Sequence, residues 1–464
     1  MKKAALACSL VGTLASLVVS LQAQPAPAAA QLYIPYAAAR AVLDTLRPEL
    51  LPQELRTPTA EEREALWPSW VLRRDGEIRR RLERGDEDSI VTLLLFGVSF
   101  TTQPRYSFAA RASMPAASPP SIDAVVQAPV VRARIADMVR GITAPGTNER
   151  LQFARRVIER AGIDLTSLEG PREARALLDA ALGRMLVEYD AFFADGTLAS
   201  TRFRDRGLSS DTSIPAAYAI DRALADLQAK GLVAPNSVAR VAVVGPGLDF
   251  ADKQEGLDIY PVQTIQPFAV LDSLMRLGLA AAGGARLVTM DINPRVTQHL
   301  ESATDLARRG VPYVIQLPRD ASLPWSPGLA AYWDRFGERI GRPVAPVPPP
   351  AAAGAVRLRA VEVRPAVIQA VAPSDLDIVL QRPSPMSDDD RFDLVVATNV
   401  LVYYDVFEQS LALANIASLL RPGGVLLTNT PLFPLPAIPM ALAGETRVDV
   451  TTTAADWVQW YVRE

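Results

Sequence analysis

The chain has 464 residues, enough for two or three domains, and 49% of them are hydrophobic, enough to build a sizeable core. Its 48 Lys and Arg stand against 51 Asp and Glu, a net charge of −3 that excludes the strongly basic field of a nucleic-acid-binding protein. One cysteine (Cys8) and one histidine (His299) exclude a disulfide framework and any His/Cys cluster with metal-ligand spacing.

The first 30 residues have the pattern of a secretory signal. Lys2-Lys3 precede an uncharged run from Ala4 to Leu21, and small residues follow at Ala23 and Ala28-Ala29-Ala30. Cleavage and a periplasmic or secreted product are the expectation. The run is also long enough for an uncleaved anchor, the one case in which a membrane is involved. Cys8 lies too near the start of that run to be a lipoprotein site.

Residues 31–214 read as a mainly helical domain. Helices are predicted around Ala37–Leu46, Glu61–Leu66, Ile78–Leu82, Glu149–Ala161 and Arg172–Phe193, where apolar residues recur at three and four spacing. Ser89–Phe100 is a strongly apolar run compatible with a strand or a buried helix, and Pro115–Pro120 is a loop. The basic runs Arg79-Arg80-Arg81 and Arg308-Arg309 read as solvated helix faces. No motif in this half carries chemistry, so a cap over a substrate or a partner-binding domain is the expectation.

From Ser237 strands and helices alternate, which predicts an α/β fold: a mostly parallel, Rossmann-like sheet with helices on both faces over residues 215–464. Val241–Val244 is an apolar strand ending in Gly245-Pro246-Gly247-Leu248-Asp249. Helix Phe268–Leu279 follows, then strand Arg286–Met290 ending in Asp291-Ile292-Asn293-Pro294, and helix Val296–Arg309. Pro312–Leu317 reads as a further strand or extended segment, 341–354 as a proline-rich exposed insertion, and Val356–Val363 as a strand. Phe392–Ala397 is a buried strand running into Thr398-Asn399. A helix over 405–420, with Phe407, Leu411, Ala414 and Leu419 on one side, stops at Pro422-Gly423-Gly424 before another buried strand. Val448–Thr452 and Trp457–Val462 read as closing strands.

The wording Phe392-Asp393-Leu394-Val395-Val396-Ala397-Thr398-Asn399 with Leu420-Arg421-Pro422-Gly423-Gly424 resembles the second half of class I S-adenosylmethionine-dependent methyltransferases, and is similar above all to the chemotaxis-receptor methyltransferases. The resemblance covers roughly residues 215–464, and the closing strands resemble the terminal hairpin of the methyltransferase sheet. By position it implies that Gly245, Gly247, Asp291, Asp375, Leu376 and Asn399 contact S-adenosylmethionine, and that Tyr403 and Tyr404 lie near the transferable methyl. Each residue also has an independent reading. The two glycines allow a tight turn and close approach, Asp291 ends a strand where an acid can accept a ribose diol, and Asn399 is a turn residue. Tyr403, Tyr404, Asp405 and Asp249 are the candidates for positioning an acceptor, with packing the alternative for both tyrosines. His299, inside a helix, reads as solvated or capping.

Two positions depart from the family pattern. Val243 stands where an acidic residue is usual, and Asp249 where a third glycine is usual; Asp249, Asp252 or Asp258 are the substitutes within reach. Three functions remain open at this point. They are methyl transfer to an unidentified acceptor, a non-catalytic exported interaction module on a degenerate methyltransferase fold, and a nicotinamide-dependent oxidoreductase. Export adds a tension, because S-adenosylmethionine is made in the cytoplasm.

Overall fold

The computed structural model describes residues 31–106, 122–194, 207–208, 213–251, 258–321, 323–350, 353, 355–383, 386–452 and 454–464. The signal pattern, Pro115–Pro120 and Asp252 lie outside these residues.

Short apolar runs form the central strands of the main sheet, which has seven strands. In chain order they are β2 (Arg240–Val244), β3 (Arg286–Asp291), β7 (Val371–Asp375), β9 (Phe392–Val396), β10 (Leu420–Thr428), β11 (Met440–Asp449) and β12 (Ala455–Arg463). Across the sheet they stand β11-β12-β10-β9-β2-β3-β7. The five from β10 to β7 run parallel. The β11–β12 hairpin closes one edge antiparallel; β12 covers the expected Trp457–Val462, whereas β11 lies N-terminal to most of the expected Val448–Thr452.

Side chains alternate faces along each parallel strand, as the pleat requires. Val241, Val243, Leu394 and Val396 enter one core with helices Ile214–Ala229, Gln266–Arg276 and Pro294–Arg308. Ala242, Val244, Val395 and Ala397 enter the other with helix Val406–Leu419. Pro422-Gly423-Gly424 does not precede a strand but forms a register shift within β10, between Leu420 and Val425.

The second core also takes residues from the N-terminal half. Ile34, Val42, Trp67, Trp70, Val71 and Ile78 are buried in it, and the Trp70 ring meets Phe407 edge-on at 5.6 Å. Strand β1 (Gln31–Tyr33) pairs antiparallel with β8 (Gln381–Pro383) beside this layer.

A single 37-residue helix, Ala60–Phe96, absorbs what reads in the sequence as two short helices and an ambiguous apolar run. At 1.5 Å per residue it is about 55 Å long. A Thr59–Glu62 capping box starts it, the two backbone N–H groups donating at 2.8 and 3.2 Å. Its first half packs on the sheet layer. Its last turns, Ile90–Leu95, enter a separate core with helices Pro129–Thr143, Glu149–Arg160 and Gly170–Ala194.

The strands expected at Pro312–Leu317 and Val356–Val363 form, but not in the main sheet. β4 (Tyr313–Asp320), β5 (Gly341–Val344) and β6 (Val356–Val363) make a small antiparallel sheet in the order β4-β6-β5. The proline-rich insertion therefore begins as a strand, and Val347 packs beyond it against Val98, Tyr260 and Val356.

Candidate functional site at the carboxyl ends of the strands

The order of strand addition reverses between β2 and β9: β2, β3 and β7 build outward to one side, β9 and β10 to the other, all parallel. Open parallel sheets bind ligands at such a switch point, because the loops leaving the two neighbouring strands diverge there.

On the β2 side, Gly245 has φ 61° and Gly247 φ 69°, a region that side chains disfavour. Gly245 is also pinned sterically. A Cβ there would fall 2.4 Å from Val400 Cγ2, which leans across from the β9 side.

On the β9 side, Asn399 adopts φ 60° and is exposed. Its backbone N–H donates to Asn429 Oδ1 at 2.8 Å, and Asn429 Nδ2 donates back to Asn399 Oδ1 at 2.6 Å. This reciprocal clamp holds a turn that an unsupported asparagine rarely keeps. Thr398, one residue earlier, accepts from Gln266 Nε2 at 2.9 Å, which ties the start of helix Gln266–Arg276 to the end of β9.

Two acids end the next two strands. Asp291 and Asp375 are register partners across β3 and β7. Asp291 accepts from the backbone N–H of Asn293 at 2.8 Å and from that of Gly247. Burial nonetheless pushes its carboxyl up to about 7, and the charge of Asp375 adds to the rise. Asp377 is fully buried nearby, and desolvation likewise pushes it up to about 7, with Asp75 and Glu408 adding negative charge.

The middle of the long helix crosses these strand ends. Arg74 pairs with the buried Glu408 at 2.7 Å. Arg79 Nη2 meets Asp375 Oδ1 at 2.9 Å while its Nη1 donates to the Ile292 carbonyl at 3.3 Å. Arg81 donates to the Tyr403 carbonyl at 2.8 Å and lies 5.8 Å above the Tyr404 ring. Asp86 reaches Arg295 at 3.1 Å. The run Arg79-Arg80-Arg81 is thus not a solvated face: two of its three guanidinium groups turn into the crevice mouth.

No family model matches the chain, and no curated protein matches its sequence. The solved structures that match include methyltransferases. The N-methyltransferase NodS from Bradyrhizobium japonicum WM9 is 14% identical, with 53% of this chain and 94% of that one covered, at a TM-score of 0.25. Magnesium protoporphyrin IX methyltransferase from Synechocystis PCC 6803, with bound SAM, is 13% identical over 60% of this chain and 91% of that one, at 0.27. The glycopeptide N-methyltransferase MtfA, complexed with S-adenosylmethionine, is 12% identical over 53% and 94%, at 0.25. At such identities these likenesses assign no ligand and no residue role to this chain.

The structure gathers Gly245, Gly247, Asp291, Asp375 and Asn399 at the carboxyl end of the parallel strands. Leu376 follows Asp375 directly but is 1% exposed and packs in the second core. Tyr404 is buried in the same core, whereas Tyr403 is half-buried and presents its carbonyl to Arg81. Asp405 is committed to a capping box, accepting from Glu408 N–H at 2.9 Å. Asp249 accepts from Tyr260 Oη at 2.9 Å and Gln263 Nε2 at 2.8 Å, and Asp258 caps the end of the long helix through Val98 and Ser99 N–H. His299 is neither solvated nor a cap. It is half-buried 2.9 Å from Tyr313 Oη, and burial holds it neutral, down to about 4.

Sequence reasoning missed Asn429, Arg79 and Asp377. Asn429 carried a usable signal, since like Asn399 it is an asparagine just past an apolar parallel strand. Arg79 carried none, because its target lies 296 residues away.

Proposed function

We propose that this chain binds S-adenosylmethionine across the β2–β9 switch point and directs its methyl group to an acceptor. The observation that carries the proposal is the set of strand ends: two positive-φ glycines after β2, and Asp291 and Asp375 in register on the next two strands. These groups fit the cofactor. The Asp291 carboxylate suits a ribose diol, and Asp375, half exposed at its side chain, suits an exocyclic amine. Backbone at Gly245 and Gly247 can approach a ligand that a side chain would exclude.

When bound, the cofactor supplies an activated methyl on a sulfonium, so displacement needs chiefly alignment and exclusion of water. The chain's part is to hold the donor on Asp291 and Asp375, to shape the far wall with the Asn399 turn, and to cover the mouth with the long helix. Acceptors with a nitrogen, sulfur or carboxylate nucleophile need no base, which fits a chain whose one histidine is tied to Tyr313. The β11–β12 hairpin favours a methyltransferase over a nicotinamide-dependent enzyme, since it corresponds to the hairpin the sequence resemblance implies. The non-catalytic reading has its own support in the apolar, buried Val243 and in Arg79 on Asp375.

Isothermal titration of S-adenosylmethionine and S-adenosylhomocysteine into wild type and Asp291→Ala tests the proposal. Micromolar binding that weakens at least tenfold in the variant is expected, because buried ribose hydroxyls would lose their acceptor. No binding to folded wild-type protein would refute it and favour the interaction module. Export to the periplasm or beyond belongs to the same proposal, supported by the first 30 residues. A mature N-terminus near Gln31 on the secreted or periplasmic protein is the expected finding.

A further inference from the structure

The methyl-donor reading leaves Arg79 unexplained, and any role for this residue at the donor site rests on that reading. A ligand whose ribose sits on Asp291 has two directions in which to extend. The methionine arm must run toward the switch point between β2 and β9, where Gly245, Gly247 and Asn399 meet. The base must run the other way, over Ile292 and toward β7, one strand spacing of about 4.8 Å along. The polar group waiting there is Asp375.

Arg79 spans that gap. Its guanidinium takes Asp375 Oδ1 at 2.9 Å with one nitrogen and the Ile292 carbonyl at 3.3 Å with another, while Nε stays on Asp75 at 3.2 Å. A planar, donor-rich group therefore lies where a planar base with an exocyclic amine would lie, using the same acceptor. The helix beneath it is held independently by Arg74 on Glu408 and Arg81 on the Tyr403 carbonyl, so vacating the gap needs a side-chain rotation and not departure of the helix. That rotation is open to it. The Arg79 side chain is 29% exposed, and Asp75 on its own helix can keep the guanidinium paired after it swings.

We infer that Arg79 occupies the base subsite of the donor site and sets its affinity, leaving Asp375 when a nucleobase amine takes its place. Adenine replaces the lost donor to Asp375 and stacks over Ile292. A ligand without an amine at that edge strands the carboxylate, so displacement of Arg79 favours aminated bases.

The test is titration calorimetry of S-adenosylhomocysteine into the purified chain, its Arg79→Gln and its Arg79→Lys variants, each first matched to wild type by circular dichroism. Relief of a partly exposed ion pair and one hydrogen bond predicts about three- to tenfold tighter binding to Arg79→Gln. Arg79→Lys, which keeps the charge but not the two-nitrogen bridge, is expected between the two. A purely structural Arg79 would never tighten binding on removal. Equal or weaker binding to Arg79→Gln, with wild type binding normally, overturns the inference and leaves the donor site standing. Absence of binding to all three folded proteins removes the donor-site reading and the inference with it. Binding to Arg79→Gln alone supports both.

Discussion

Replacing Asn429 by alanine removes both halves of the clamp on Asn399, and the structure sets the size of the effect. Two hydrogen bonds disappear, one from a backbone N–H at 2.8 Å and one between side chains at 2.6 Å. Each is worth about 0.5–1.5 kcal/mol net, and the exposure of Asn399 places the sum in the lower half, about 1–2 kcal/mol. The left-handed backbone of Asn399, at φ 60°, then has to be held without help at a cost of about 1 kcal/mol. Glycine needs no such help. Asn399→Gly alone should change stability little, because it relieves the backbone but forfeits the side-chain bond. In the Asn429→Ala background it should instead stabilise by about 0.5–1 kcal/mol. Urea denaturation of the four proteins of this cycle, followed by circular dichroism, gives the coupling. Additivity within about 0.3 kcal/mol would refute the clamp, as would an Asn429→Ala cost below about 0.5 kcal/mol. S-adenosylhomocysteine affinity should fall in Asn429→Ala and recover in the double variant if the turn shapes the donor site.

Three further outcomes are expected. Asp291 is raised from its ordinary 3.8 to about 7. Below about pH 4 it is protonated whether folded or not, and between there and pH 7 only the unfolded chain ionises, so its contribution to stability falls as pH rises and levels off above 7. Cofactor binding has the opposite slope, since the ribose needs the carboxylate: affinity should rise by up to about tenfold per unit toward pH 7, and Asp291→Asn should flatten that profile in calorimetry. Arg74→Met should destabilise by about 3 kcal/mol near neutral pH, because Glu408, with a side chain 1% exposed, loses its cation. Adding Glu408→Gln should restore most of the urea midpoint, and a midpoint unmoved by Arg74→Met alone would sink the argument.

Elements built from continuous apolar runs, such as β2 and β9, are legible in the sequence because burial on both faces leaves one pattern. Strand β7 is not. Its residues, Val371-Ala372-Pro373-Ser374-Asp375, lack an apolar run and contain a proline, as an edge strand tolerates. The stronger strand signal at Val356–Val363 belongs to the small antiparallel sheet. The long helix is hard to read as one element because Pro68, Gly76 and Gly85 interrupt it and its apolar stripe serves two different cores in turn. At the site, strand-end residues follow from topology, since Gly245, Asp291 and Asn399 sit where strands stop. What covers them does not, because the direction of Arg79 depends on a crossing fixed by packing among Trp67, Trp70 and Phe407.

The pairing of β1 with β8, and the burial of Ile34, Trp67 and Trp70 beside Phe407 and Leu411, set a timetable for making this protein. Gln31 pairs with Pro383 and Trp70 meets Phe407, so these early residues lack their long-range partners until most of the chain has been synthesised. Closing a loop of that length costs little extra free energy per added residue but much time. The crevice cover cannot be completed before the sheet it covers, and a ribosome-bound fragment holding only the first half has no sheet on which to lay the two tryptophans. Late assembly of this layer accords with the export proposed above, since a chain must be unfolded to be threaded across a membrane.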